Sequence, residues 1–401
     1  MRKALDGLRV LDLTRVYAGP YCTMVLADMG AEVIKVENPA GGDDTRRIGP
    51  YKDHQPGEER SGYFAMLNRN KYGVTLNLKH PTAIDLFIRL VTQADVVVEN
   101  YAPGTMQKFG LGWEVLQQAN PRVILASISG YGQTGPLSAR PSYDGNAQAL
   151  SGLMSLIGAP DGPPMRVNPA IGDSSAAIHA AFGILCAVYA RERTGRGQWV
   201  DVAQLDAVFS IMESAVVNYT LAGNVLGRVG SRHQDVCVYD VFRCRDGYVY
   251  LGAYKPHHWG NLCRLLDRPG WVTDPRTATN DQRLAHYEGL IKPVIEAWAA
   301  HHDADALVTL LDAESIPCAK VQTVDQAVHH PQLRARDMVV PVAHPVMGRI
   351  ELPGITCKLS DTPGGVDRPP PLLGEHNAEV YGRLLGLTAD ELVALRRDGV
   401  I

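Results

Sequence analysis

The first 128 residues alternate short apolar runs with amphipathic ones in a rhythm that few folds can hold. Arg9-Val10-Leu11-Asp12-Leu13-Thr14 has the continuous apolar texture of a buried strand. Tyr21 to Met29 reads as a helix stopped by Gly30, and Glu32-Val33-Ile34-Lys35-Val36 as a second strand. The cycle repeats through a strand at 73–78, a helix at 81–92 opened by Pro81, and the strand Asp95-Val96-Val97-Val98-Glu99. A third cycle has a helix at 113–119 and a strand at 123–128. Strands without polar alternation, separated by helices, predict a parallel sheet buried on both faces. The expected fold class is therefore α/β with a Rossmann-like parallel sheet.

Downstream the texture changes. Residues 173–193 read as a long helix ended by Thr194-Gly195, 197–202 as a strand, and 205–222 as a second long helix. A loop rich in glycine and basic residues follows, then strands at 239–242 and 248–251 that mark a smaller α+β domain. The last part holds short strands at 338–342 and 348–350, a proline-rich arm at 363–373 and a helix at 389–397. These features predict a large domain with linker helices over 1–224, a small domain over 225–325, and a return to the large domain over 326–401. A chain of 401 residues with 45% hydrophobic content can bury such cores.

Bulk charge excludes some partners. Lys and Arg number 39 against 43 Asp and Glu, a net charge of -4, which argues against nucleic acid or an anionic membrane. No uninterrupted apolar run reaches the ~18 residues of a membrane span. The seven cysteines are scattered without a CxxC pair, so neither a disulfide framework nor a zinc site is expected, and a reducing, cytoplasmic setting is. The pairs His257-His258 and His329-His330 lack HExxH spacing, and no GxSxG elbow occurs.

In open parallel sheets ligands bind beyond the carboxyl ends of the strands. After the first strand stands Arg15-Val16-Tyr17-Ala18-Gly19-Pro20, a turn leading into a helix and not a GxGxxG fingerprint. After later strands stand Asn77-Leu78-Lys79, Asn100-Tyr101-Ala102-Pro103-Gly104 and Ser129-Gly130-Tyr131-Gly132. Each combines amide hydrogen bonding with an aromatic, a glycine or a lysine, which suits a nucleotide carrying phosphates and a long amide-containing arm. Further basic candidates are Arg46, Arg47, Arg69, Lys71 and Lys108. One carboxylate has a special place: Asp173 follows Gly172 at the start of the long helix. Locally it reads as an N-cap, and a helix start can also hold a reacting carboxylate and its oxyanion.

Taken in order, these segments resemble the class III CoA-transferases, the family related to formyl-CoA transferase and carnitine CoA-transferase. The resemblance covers residues 5–401. It is carried by Leu8 to Arg15 with Ala18-Gly19-Pro20, by Gly30 to Glu37, by Gly42-Asp43-Asp44-Thr45-Arg46, and by Asn68-Arg69-Asn70-Lys71. Asp95 to Asn100, Asn120 to Ile124, Ser129 to Gly132, Gly172-Asp173 and Thr194 to Gln198 complete it.

The resemblance implies that Asp173 is a catalytic nucleophile and that coenzyme A, as substrate and product thioester, is held by three groups of residues. The first is Arg15, Val16, Tyr17 and Ala18. The second is Leu76, Asn77 and Lys79, and the third Asn100, Tyr101, Ala102, Lys108, Tyr131 and Gly132. Tyr63 and His233, the latter in the loop 230–238, would border the acyl group. It further implies an interlocked homodimer, acyl-CoA and carboxylic acid substrates, and no metal. Asn38 stands after Glu37 where relatives often carry arginine, and Lys108 keeps charge but not a bidentate fork.

The implied reaction moves CoA to a free acid through an aspartyl anhydride and an aspartyl thioester. The arginines and His233 lean towards a dicarboxylic acid such as succinate. Two alternatives are a 2-methylacyl-CoA racemase and a non-catalytic CoA-binding protein. The racemase needs a histidine ahead of the Asp-bearing helix, and Ser142-Tyr143-Asp144-Gly145-Asn146-Ala147-Gln148 has none.

Overall fold

The computed structural model describes residues 2–401. The alternation of the N-terminal third becomes five parallel strands: β1 (Arg9–Asp12), β2 (Glu32–Glu37), β3 (Tyr72–Thr75), β4 (Val96–Glu99) and β5 (Ile124–Ser129). A sixth, β6 (Trp199–Ala203), completes the sheet, in order β3-β2-β1-β4-β5-β6. Val10 pairs with Val33 and Val96, Val98 with Ala126, and Ser127 with Asp201, all in parallel register.

The absence of polar alternation has a direct packing reason. Leu11, Ile34, Val97 and Leu125 enter one core, with Phe87, Leu90 and Tyr381. Val10, Val33, Val96, Val98, Ile124 and Ala126 enter the other, with Leu26, Ala177, Ala180 and Ile184. Neighbouring residues of one strand thus serve opposite faces, each full burial of a Val or Leu contributing about 1.5–3 kcal/mol. The strand order reverses between β1 and β4, which opens a crevice at their carboxyl ends.

The long helix is Ile171–Thr194, closed by Gly195 in the left-handed region (φ 71). By length and composition it could cross a membrane, although polar residues such as Asp173, His179 and Arg191 interrupt its apolar run. Ala176, Ala177, Ala180, Ala181, Ile184 and Ala187 are buried in the sheet core, so one apolar face of the helix is packed on the strands.

The chain divides into two compact units: Met1–Leu153 with Val167–Met212 and Pro331–Ile401, and Met154–Arg166 with Glu213–His330. The second unit begins at Glu213 instead of 225, ends at His330 instead of 325, and takes in Met154–Arg166. Two causes explain the difference. The helix expected over 205–222 is two helices, Gln204–Ser210 and Ala215–Ala222, broken where Glu213 turns to φ 49. Residues 154–166 are held by distant partners, Gly230 N donating to Gly158 O at 3.0 Å and Arg228 Nε to Ala159 O at 3.3 Å. Local pattern carries no trace of such pairing.

The second unit has an antiparallel sheet of β7 (Tyr239–Arg243), β8 (Tyr248–Gly252) and β9 (Cys318–Lys320). Helices bury Trp259, Leu262, Ile295, Leu307 and Leu311 against it, with Trp259 and Trp271 stacked at 5.9 Å. In the first unit the C-terminal segment adds the hairpin β10 (Val339–His344) and β11 (Gly348–Pro353). It also seals the β3 edge: Thr75 N donates to Asn377 Oδ1 at 2.8 Å, and the Tyr381 hydroxyl donates to Thr75 O at 2.8 Å.

Candidate active site

The crevice at the β1/β4 reversal is a cavity of about 430 Å³. Its lining includes Arg15, Val16, Tyr17, Ala18, Asn100, Tyr101, Ala102, Arg140, Tyr143, Asp173 and Gln204, and no histidine. A second cavity of about 360 Å³ is lined by Asn77, Leu78, Lys79, Arg47 and Phe109, and shares Arg15, Asp44 and Tyr101 with the first. Leu76 also lines the second. The structure thus brings together ten of the thirteen residues expected to hold CoA. Lys108, exposed at the end of the short helix Thr105–Lys108, lines neither cavity, nor do Tyr131 and Gly132.

The β1 loop is gripped from three sides. Asn100 accepts from Arg15 N at 2.9 Å and donates to Arg15 O at 2.8 Å. Lys35 Nζ donates to Thr14 O at 2.9 Å, and Asp43 Oδ1 accepts from Val16 N at 3.2 Å. Val16 is held at φ 67, the left-handed region that a β-branched residue rarely enters and that costs about 1–3 kcal/mol. The side chains around it over-determine that geometry. Gly19 is required because a Cβ there would lie 2.3 Å from Thr14 Cβ. Pro20 falls in the first turn of the helix Ala18–Asp28, where its missing N–H is harmless.

Beneath the loop lies a buried charge network. Lys71 Nζ donates to Asp12 Oδ2 at 2.9 Å and Lys35 Nζ to Asp43 Oδ2 at 2.9 Å, all four side chains being essentially inaccessible. Burial alone would raise the Asp12 carboxyl, but Lys71 and Lys35 hold it below its ordinary value. The same opposition takes Asp43 down to about 2, chiefly through Lys35. Arg46 forks onto Glu37 at 2.7 and 2.8 Å and reaches Glu59, while Arg69 forks onto Asp28. Arg46, Arg69 and Lys71 are therefore structural cations and not anion-binding candidates.

Asp173 sits in the helix Ile171–Thr194 but does not cap it: the N-cap is Ala170, with no side-chain cap bond. The Gly172 amide is taken instead by Asp144 Oδ1 at 2.7 Å. Asp173 Oδ1 accepts from Gln204 Nε2, and among the described residues Oδ2 accepts no hydrogen bond. Burial, followed by the nearby Asp144 carboxylate, pushes Asp173 up to about 7 against the pull of Gln204. An acid poised near neutrality in a cleft is a mark of chemistry.

Tyr63 lines neither cavity, but its ring stands edge-on to Tyr17 at 6.2 Å. Its phenol is pushed up to about 12 by burial, then by Tyr17 and Asp173. Ser174 Oγ donates to the Tyr17 hydroxyl at 3.3 Å. His233 belongs to the second unit. Its Nδ1 accepts from Asp235 N at 3.0 Å, so its Nε2 carries the hydrogen and points to Glu213 Oε1 at 3.3 Å. Among the described residues no group of three or more His, Cys, Asp or Glu could hold a metal ion.

Gln204, Asp144 and Arg140 were not found as site residues from the sequence. For Gln204 a signal existed: it is the first residue after β6, so the strand-end rule applied to the sixth strand reaches it. Asp144 and Arg140 lie in loop and helix-start positions with no such marker.

The family model of CoA-transferase family III matches residues 5–377. The succinyl-CoA:D-citramalate CoA-transferase of Chloroflexus aurantiacus is 38% identical over 400 residues, covering 100% of this chain and 98% of the relative. The succinyl-CoA:mesaconate CoA-transferase of Haloarcula hispanica is 42% identical over 385 residues, covering 94% and 95%. A crystal structure of a CAIB/BAIF family protein from Brucella suis, 33% identical, superposes with a TM-score of 0.84 over 96% of this chain and 100% of that one.

Proposed function

The chain belongs to CoA-transferase family III and is an acyl-CoA:carboxylate CoA-transferase, and we propose that Asp173 is its nucleophile and succinyl-CoA its donor. The observation that carries the proposal is the Asp173 carboxylate in the crevice, with one oxygen held by Gln204 and the other unbonded among the described residues. The free oxygen attacks the donor thioester carbonyl, giving a mixed anhydride and CoA thiolate. The thiolate attacks the aspartyl carbonyl, expels the donor acid and leaves an enzyme thioester. The acceptor carboxylate then displaces the thiolate, which returns to the new acyl carbonyl and frees Asp173.

The two adjoining cavities, meeting at Arg15 and Tyr101, suit an elongated ligand, with Lys79 available to a phosphate and Asp173 to the thioester. Both relatives are named for succinyl-CoA, and Arg15 and Arg140 line the cavity that holds Asp173. A guanidinium fork matches the second carboxylate of a dicarboxylic acid. Asp173→Ala is expected to bind CoA and lose more than about 10³ in kcat, beyond the cost of one oxyanion donor. Near-normal exchange by a folded Asp173→Ala enzyme would overturn the nucleophile. Mass spectrometry of a panel of acyl-CoAs and free acids tests the donor; exchange confined to monocarboxylic acids would overturn it.

We also propose an interlocked homodimer. Its support is the outer face of Ile171–Thr194, where Ile178, Phe182, Leu185 and Tyr189 recur at helical spacing with exposures of 55, 66, 39 and 61%. Light scattering should give twice the chain mass, and an active monomer would refute the assembly.

A further inference from the structure

Gln204 opens the helix Gln204–Ser210 directly after β6 and is buried, at 8% exposure. Its Nε2 donates to Asp173 Oδ1, while its Oε1 is buried with no hydrogen-bond partner among the described residues. A half-satisfied buried amide is a burden that a leucine of similar volume would not carry. Such local costs are kept where a group serves chemistry.

The helix start offers little else to the same oxygen. The Ile171 amide donates to Pro169 O at 2.7 Å, the Gly172 amide to Asp144 Oδ1 at 2.7 Å, and the Ser174 amide to Ala170 O at 2.9 Å. None of these three N–H groups is aimed at the Asp173 carboxylate. The expectation that a helix-start backbone would cradle the oxyanion therefore leaves a gap at Oδ1, and one side-chain donor stands in it.

The two oxygens of Asp173 have different fates in the proposed cycle. Oδ2 attacks and becomes the bridging oxygen of the anhydride. When the CoA thiolate adds to Cγ, a C–S bond forms and the electron pair of the Cγ=Oδ1 bond moves onto Oδ1. Its return expels the donor acid, which carries Oδ2 away as part of its carboxylate. When the acceptor carboxylate adds to the thioester, the negative charge falls on Oδ1 again, and CoA leaves as thiolate. Oδ1 stays on the protein throughout, and it is the oxygen that bears both aspartyl oxyanions.

We propose that Gln204 is a catalytic residue whose Nε2 donates to Asp173 Oδ1 in the resting carboxylate and in both tetrahedral intermediates at Cγ. This assignment rests on Asp173 being the nucleophile. The amide also favours the ionised form of Asp173 against burial and Asp144, which keeps the attacking group available near neutral pH.

Gln204→Leu is the test, with Gln204→Met, unbranched and of equal length, as the second variant should leucine fail to fold. The expected result is a fall of about 10²–10³ in kcat with the acyl-CoA KM changed less than about threefold. The acidic limb of the kcat/KM profile should move to higher pH, because the donor that favours the anion is gone. A merely structural role would lower the melting temperature without splitting kcat from KM or moving the limb. Intact-protein mass spectrometry of the wild-type enzyme with acyl-CoA separates the two failures. If no covalent adduct forms on Asp173, the nucleophile is wrong and this assignment falls with it. If the adduct forms and both variants turn over within about threefold of wild type, Gln204 alone is refuted.

Discussion

Asp12 and Asp43 on one side and Asp173 on the other are carboxylates sunk into the same unit, and their surroundings oppose each other. Lys71 and Lys35 stand against the first two, which are locked as anions below their ordinary range. Among the described residues no cation pairs with Asp173, which has an amide and a second carboxylate beside it and is raised to about 7. Ion pairing makes a carboxylate inert and structural. Leaving one desolvated beside a like charge brings its titration towards neutral pH, which marks it as a candidate for chemistry. The lysine-paired acids hold the β1 loop in shape, and the unpaired acid faces the cavity that the loop borders.

The largest effect is expected from breaking the paired side. Asp12→Ala leaves Lys71 buried without its counter-charge and should cost about 3–5 kcal/mol of folding free energy, measured by denaturant unfolding. Retention of wild-type stability would mean that the pair is not closed in solution. Next in size is the test of the grip on Val16. Asp43→Ala with Lys35→Met removes both charges together, which avoids an orphaned ion. The double variant should fold, keep kcat and raise the acyl-CoA KM about tenfold, as about 1–2 kcal/mol of held backbone strain is released. An unchanged KM would show that the loop keeps its shape without the pair.

The unpaired side makes two finer predictions about pH. As the proposed nucleophile, Asp173 would have to be ionised to attack, so kcat/KM should fall as pH drops below about 7. Asp144→Asn removes a charge that raises Asp173, so this limb should move to lower pH; a shift upward would contradict the electrostatic account. Stability runs the other way. The folded value, about 7, lies above the ordinary 3.8, so the folded state binds the proton more tightly. Asp173 thus contributes stability at low pH that is lost as pH rises through about 7. Asp173→Asn should melt higher than wild type above pH 7, and the gain should fade towards pH 4. The smallest effect belongs to an exposed pair: Arg264→Ala loses its contact with Glu314 at 3.2 Å and should change stability by less than about 1 kcal/mol.

Much of the fold was legible because it rests on local pattern. The apolar runs at 9–14, 32–36, 95–99 and 123–128 mark strands that the structure places within a few residues, and the helices at 113–119 and 389–397 match Trp113–Ala119 and Ala389–Arg397. The strand-end rule located the crevice, since Arg15 to Ala18 and Asn100 to Ala102 converge there. Hidden were the features that depend on long-range partners. Arg46, Arg69 and Lys71 look like solvent cations in sequence and are buried ion-pair members in space. The break at Glu213 and the capture of residues 154–166 by the second unit are set by contacts made far along the chain.

By itself the sequence determined the α/β class, the parallel strands to within a few residues, and the position of Asp173 at a helix start, because these follow from side-chain periodicity and from glycine and proline geometry over short stretches. Tertiary structure alone decided what Asp173 is. Its helix position reads as a cap, yet the cap residue is Ala170 and the neighbouring amide belongs to Asp144. Whether a carboxylate is a cap, an ion-pair member or a poised acid depends on which charges and donors lie within hydrogen-bonding reach. For Asp173 those groups are Gln204, 31 residues along the chain, and Asp144 on a separate helix.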